Sequence, residues 1–163
     1  MGHAHRTLET PIGRYTLVAT RDGLSHVQPE GSASLPADDA HAADPAARRH
    51  LDAAEAALDD YFAGRRRDFD DLALAPSGSA FQKQVWRALR RVPFGTTASY
   101  GEIARRIGRA GAARAIGGAN HDNPLGIVVP CHRVIGADGR LTGYAGGLER
   151  KRWLLSHEGA LLS

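Results

Sequence analysis

The stretch Ala75-Pro76-Ser77-Gly78-Ser79 constrains this chain more than any other, because the spacing of the apolar residues changes across it. Strand-like alternation and one helix precede it, and short capped helices follow. Proline, glycine and two serines in so few positions favour a linker over either periodic structure. The chain therefore divides into domains at residues 1–77 and 78–163. With 163 residues, 42% of them hydrophobic, it has the material for a small core beside a medium one.

In the first part, Thr10-Pro11-Ile12-Gly13 and Arg21-Asp22-Gly23 read as turns between short strands, and residues 14–20 alternate around Tyr15, Leu17 and Ala19. An antiparallel sheet is the simplest result. Residues 29–44 are rich in Gly, Ser, Pro, Ala and Asp without apolar period, which predicts a loop. Asp44-Pro45 then supplies an N-cap carboxylate with proline at the first helical position. Leu51, Ala54, Leu58, Tyr61 and Phe62 recur at helical spacing up to Gly64. Phe69, Leu72 and Leu74 can return to the sheet.

In the second part, Ser79 caps a helix whose apolar face is Phe81, Val85, Trp86 and Leu89, ending before Pro93. Ser99 with Glu102 three residues on is a capping box for a short helix over residues 100–107, closed by Gly108. A glycine-bearing turn leads to a third helix over 112–120. The pair resembles a helix-turn-helix whose second member is built from small side chains, with Arg114 as its one long projection. Two readings remain open for so slim a helix: it packs tightly inside the protein, or it enters a nucleic-acid groove.

Charge favours the second. Residues 1–77 carry 8 basic and 13 acidic side chains, whereas residues 78–163 carry 13 basic and 5 acidic, concealed in a net +3. Clustered arginine neutralises phosphates and releases counterions on binding. No apolar stretch approaches the ~20 residues that span a bilayer, and the first residues lack a secretory signal's apolar core, so the expected location is cytoplasmic, with no membrane partner.

The chain's one cysteine stands in Pro130-Cys131-His132-Arg133-Val134, within an apolar run from Ile127 to Ile135 that reads as a strand. A single thiol forms no internal disulfide and suits a reducing compartment. It is either an inert buried side chain or a nucleophile. His132 is the nearest base. Neighbours in a strand point to opposite faces, so direct contact needs a local break, which Pro130 favours, or an intervening water.

Taken together these stretches resemble the O6-alkylguanine-DNA alkyltransferases, also called methylated-DNA-protein-cysteine methyltransferases. The resemblance runs in order through Phe81-Gln82, Val85-Trp86, Pro93-Phe94-Gly95-Thr96, Ser99-Tyr100-Gly101-Glu102-Ile103-Ala104, Ala113-Arg114-Ala115-Ile116-Gly117, Asn123-Pro124, Pro130 to Ile135, Gly143-Tyr144-Ala145-Gly146-Gly147 and Leu154-Leu155 with Glu158. It covers almost all of residues 79–159 and only loosely the part before them.

The resemblance implies an α+β fold: a small N-terminal antiparallel sheet with a helix, ribonuclease-H-like, then a mostly helical, winged-helix-like domain with the helix-turn-helix. It implies a single-turnover repair protein that moves an alkyl group from O6 of guanine, and O4 of thymine, in double-stranded DNA to Cys131, without a cofactor. His132 takes the thiol proton through a water, Glu158 holds its imidazole, and Tyr100 donates towards guanine N3. Asn123 ties the recognition helix to the cysteine segment. The carbonyls of Cys131 and Val134 accept from the guanine amino group, and Tyr144 and Ala145 wall the pocket. Ala113, Ala115 and Gly117 enter the minor groove, and Arg114 fills the space of the flipped nucleotide. The implied protein is a monomer, with cooperative assembly on DNA left open.

Some members hold zinc near the N-terminus. This chain has no cysteine there, and His3, His5, His26, His41 and His50 lack ligand spacing, so no metal is expected. The alternative function is a non-enzymatic binder of alkylated bases of the alkyltransferase-like type; those proteins replace the cysteine.

Overall fold

The computed structural model describes residues 2–37 and 44–160, and its chain divides into two units, Met1–Ser77 and Gly78–Ser163. In the first, β1 (Ala4–Thr10), β2 (Gly13–Thr20) and β3 (Gly23–Pro29) form an antiparallel sheet in that order. Thr10 closes the first turn: its Oγ1 donates to the Gly13 carbonyl at 2.6 Å and accepts from the Ile12 N–H. The register sets Leu8 opposite Tyr15 and Leu17 opposite Val27. The alternation expected of residues 14–20 is not realised as a half-exposed strand. β2 is the middle strand and is buried at every position from Tyr15 to Thr20.

The long helix α1 (Pro45–Phe62) lies across all three strands. Asp44 caps it by accepting from the Ala46 N–H, with proline at the first position as expected. Leu51, Leu58 and Tyr61 are buried, each stabilising the unit by roughly 1.5–3 kcal/mol. The segment carrying Phe69 and Leu72 returns to the sheet through Leu74, which bridges to Leu24 in parallel at the edge of β3. Two of the arginines after α1 pair with carboxylates, Arg65 with Asp60 and Arg66 with Asp71.

The second unit contains α2 (Ala80–Leu89), β4 (Ala98–Ser99), α3 (Tyr100–Arg106), α4 (Ala113–His121), β5 (Val134–Ile135) and α5 (Leu148–His157). Ser79 with Gln82 and Ser99 with Glu102 both form complete capping boxes. Trp86 on α2 donates Nε1–H to the Ala119 carbonyl of α4 at 2.9 Å, a buried bond that orients α4. α3 ends at Gly108 in a Schellman motif, with Arg109 N–H on the Ala104 carbonyl and Gly108 at φ 73°. α3 and α4 therefore sit as a helix-turn-helix.

One expectation needs correction. The run from Ile127 to Ile135 is not a continuous strand: Cys131–Arg133 forms a 3₁₀ turn, and only Val134–Ile135 is extended, paired in parallel with Ala98–Ser99. Periodicity cannot separate a short apolar strand from tightly turned, equally buried backbone. Among the described residues no helix is long and apolar enough to cross a membrane.

Candidate active site

The cysteine segment is shaped by backbone turns. Val128 N–H reaches the Gly126 carbonyl at 2.8 Å, a classic γ-turn that holds Ile127 at φ 69°. A β-branched residue in that region costs on the order of 1–3 kcal/mol. Asn123 opposes the strain: its Oδ1 accepts from Leu125 N–H at 3.0 Å, and its Nδ2 donates to the carbonyls of Leu125 at 3.4 Å and Val129 at 2.9 Å. Pro130, at φ −79° and ψ 64°, then turns the chain into the 3₁₀ turn that begins at Cys131. Asn120, on α4, holds the backbone of the cysteine, donating to the Cys131 carbonyl at 3.3 Å. Asn123 was singled out from the sequence and Asn120 was missed.

Cys131 is almost fully buried. Burial pushes its thiol above the ordinary cysteine range; Asn123, the Lys151 ammonium and the Tyr144 side chain pull the other way without cancelling it. The resting thiol is thus protonated and needs a base.

His132 is wholly buried, and its Nε2 lies 2.8 Å from Glu158 Oε2. Burial holds the imidazole below its ordinary range despite the Glu158 carboxylate, so it rests neutral. Burial alone would raise Glu158, but the hydrogen bonds from His132 and Arg133 and the Arg133 charge outweigh it and bring the carboxyl down to about 2. An ionised Glu158 accepts, so Nε2 carries the hydrogen and Nδ1 keeps its lone pair. Nδ1 is buried and has no hydrogen-bond partner among the described residues. The site thus holds a neutral imidazole with a vacant basic nitrogen, next in sequence to a thiol, and its positive form is stabilised by a carboxylate.

Glu158 reaches this position because α5 stops there. Gly159, at φ 76°, closes the helix by the same Schellman pattern, with Ala160 N–H on the Leu155 carbonyl. Arg133 completes the cluster. Its Nε donates to Glu158 Oε1 at 2.8 Å, Nη2 to Oε2 at 3.0 Å and Nη1 to the Val92 carbonyl at 2.7 Å.

Lys151, also fully buried, donates Nζ–H to the carbonyls of Val134 at 2.6 Å and Thr142 at 3.1 Å. Burial lowers its ammonium to about 8, against the attraction of Cys131. Neither Arg133 nor Lys151 was identified from the sequence. The signal was there for Lys151: with Leu154, Leu155 and Glu158 it occupies i, i+3, i+4 and i+7, the buried stripe of α5.

Tyr100 opens α3, and its hydroxyl lies 2.6 Å from Thr142 Oγ1. Val134 is buried, Tyr144 half-buried and Ala145 exposed. On α4, Arg114 and Ala115 are exposed and Ala113 and Gly117 half-buried; a Cβ added at Gly117 would meet the Tyr100 ring at 3.9 Å. That is an ordinary contact, so packing on Tyr100 does not require the missing Cβ, and the small side chains of α4 leave a low surface around Arg114. Among the described residues no group of three or more His, Cys, Asp or Glu is placed to hold a metal ion, and His41 lies outside those residues.

Comparison with known proteins gives the same partition. The DNA-binding domain of 6-O-methylguanine DNA methyltransferase matches residues 80–160, and its ribonuclease-like domain matches residues 4–76. A methylated-DNA–protein-cysteine methyltransferase of Salmonella typhimurium is 59% identical over 105 residues, which span 64% of this chain and 61% of that protein. One from Mycolicibacterium paratuberculosis is 48% identical over 154 residues, 94% of this chain and 91% of its own. The crystal structure of Mycobacterium tuberculosis OGT in complex with DNA superposes with a TM-score of 0.83 at 45% identity, covering 96% of this chain and 93% of that one.

Proposed function

The chain belongs to the 6-O-methylguanine DNA methyltransferase family, and from that premise we propose that it repairs alkylated DNA by taking the alkyl group onto Cys131, once per molecule. Its substrate is O6-alkylguanine in double-stranded DNA, with O4-alkylthymine as a second lesion. The single observation that carries this reading is the buried relay: a neutral His132 whose Nε2–H is held by ionised Glu158 and whose Nδ1 is unpartnered among the described residues.

The helix-turn-helix approaches the minor groove, with Ala113, Ala115 and Gly117 giving the low surface and Arg114 filling the place of the displaced nucleotide. The extruded base enters beside Val134, Tyr144 and Ala145. The thiol proton passes to His132 Nδ1 through a bridging water, and Glu158 stabilises the imidazolium that results. The thiolate attacks the alkyl carbon, the S–C bond forms as C–O6 breaks, and Tyr100 delivers its proton to N3 so that guanine departs neutral. A thioether does not hydrolyse, so the protein is consumed.

Lys151 contributes by placing a positive charge near the sulfur as the thiolate forms. Asn123 and Asn120 hold the segment and the Cys131 carbonyl in place. Intact-mass measurement after incubation with a duplex carrying O6-methylguanine tests the proposal. One methyl group per molecule is expected, whereas an unmodified protein that holds the lesion tightly would mark a non-enzymatic binder.

A further inference from the structure

We propose that Thr142 is a positioning residue for proton delivery: its hydroxyl holds the Tyr100 phenol in place and stabilises the phenolate as the base leaves. The inference rests on the alkyl-transfer reading and deepens it.

Two hydrogen bonds fix Thr142, and its methyl group lies beside a glycine. Its Oγ1 lies 2.6 Å from Tyr100 Oη. Its carbonyl accepts from the buried Lys151 ammonium at 3.1 Å. Its methyl group faces Gly136, where an added Cβ would meet Thr142 Cγ2 at 3.4 Å. The same ammonium binds the Val134 carbonyl at 2.6 Å, so the residue that steadies Thr142 also steadies β5, which follows the cysteine turn. A hydroxyl on a loop is thereby tied to the buried frame of the site, 42 positions from Tyr100 in sequence.

The chemistry follows from the donor inventory. Either hydroxyl can donate in this pair. Once Tyr100 turns its hydrogen towards guanine N3, Thr142 is the group left to donate to the phenol oxygen. In the transfer step the sulfur–carbon bond forms, the carbon–O6 bond breaks, and its electron pair goes to the purine. The Tyr100 proton moves to N3, and negative charge appears on the phenol oxygen, where the Thr142 hydrogen bond strengthens. A bond that tightens only as charge develops lowers the barrier without tightening ground-state binding. Tyr100 later recovers a proton from solvent and His132 releases the thiol proton to it, so the exchange balances.

The experiment measures single-turnover transfer from a duplex carrying O6-methylguanine for the wild type, Thr142→Val, Thr142→Ser, Tyr100→Phe and the double variant Tyr100→Phe/Thr142→Val. Methylation of Cys131 by iodomethane is followed in parallel, because iodide departs without a proton. Thr142→Val is expected to slow transfer from DNA about ten- to hundredfold, the range for losing a hydrogen bond to a charged group. Thr142→Ser should restore it, and the double variant should be no slower than Tyr100→Phe alone. The iodomethane rate should not change. Wild-type speed in Thr142→Val overturns the proposal. So does a full additional loss on top of Tyr100→Phe, or an equal slowing with iodomethane, since either marks a merely structural role. A wild-type protein that takes no methyl from DNA overturns the function itself and this inference with it.

Discussion

Replacing Glu158 by glutamine removes the charge on which the buried relay depends while keeping its shape. In the wild type the carboxylate takes two hydrogen bonds from Arg133 and one from His132. In the variant the Arg133 guanidinium stays buried without a counter-charge. In the wild type the Glu158 carboxyl pKa is depressed from 4.5 to about 2, which corresponds to about 3 kcal/mol of stability. Breaking a buried ion pair by removing one partner costs roughly 3–5 kcal/mol, an independent figure of the same size. Because the folded value lies below the unfolded one, this stabilisation is complete above pH 4.5 and is lost as the pH falls towards 2. Urea unfolding of both proteins between pH 7 and pH 3 reads the difference. By linkage the gap should shrink from about 3 kcal/mol at pH 7 to about 1 kcal/mol at pH 3. A gap that stays constant with pH, or no gap at pH 7, refutes the assignment of Glu158 as the ionised anchor. Alkyl transfer should be nearly abolished at pH 7 in the same variant, because an amide cannot neutralise the imidazolium.

Three further outcomes follow from the same geometry. Asn123→Ala leaves the buried Leu125 N–H unpaired and removes one of the two hydrogen bonds to the Val129 carbonyl, which keeps the Cys131 N–H; it should cost about 1–3 kcal/mol in urea unfolding and slow transfer through a loosened cysteine turn. Lys151→Met keeps the volume but removes the cation acting on Cys131, so the thiol should titrate at higher pH than in the wild type, measured by iodoacetamide alkylation against pH; an unchanged profile excludes Lys151 from thiolate stabilisation. Arg114→Ala, a change on the exposed face of α4, should slow reaction with alkylated duplex far more than with the free alkylated base; equal slowing of both contradicts its place in base extrusion.

Local rules made much of this structure legible. Asp44, Ser79 and Ser99 cap the helices that their side chains announce, because a cap is a contact over two or three residues. The antiparallel sheet follows from its turns in the same way. The strand expected through Cys131 did not form, since γ-turns at Ile127 and Pro130 leave no trace in apolar pattern and depend on Asn123 to hold them. Of the buried cluster of His132, Arg133 and Glu158, the family resemblance pointed to His132 and Glu158. Arg133 was hidden in an apolar run, where a lone arginine reads as a surface residue until a buried carboxylate is brought to it from 25 residues away. Lys151 could have been found on the buried stripe of α5. Thr142 could not, because its contact with Tyr100 depends on how a loop closes.

Transfer itself is the most direct test of Cys131 as the acceptor. An excess of a duplex containing O6-methylguanine with a deuterated methyl group is mixed with the protein, and the digested peptides are mapped by mass. The label should appear on the peptide containing Cys131, one group per molecule, with guanine restored in equal amount and no further turnover. Label on any other residue, or restored guanine exceeding the protein present, contradicts a single consumed thiol.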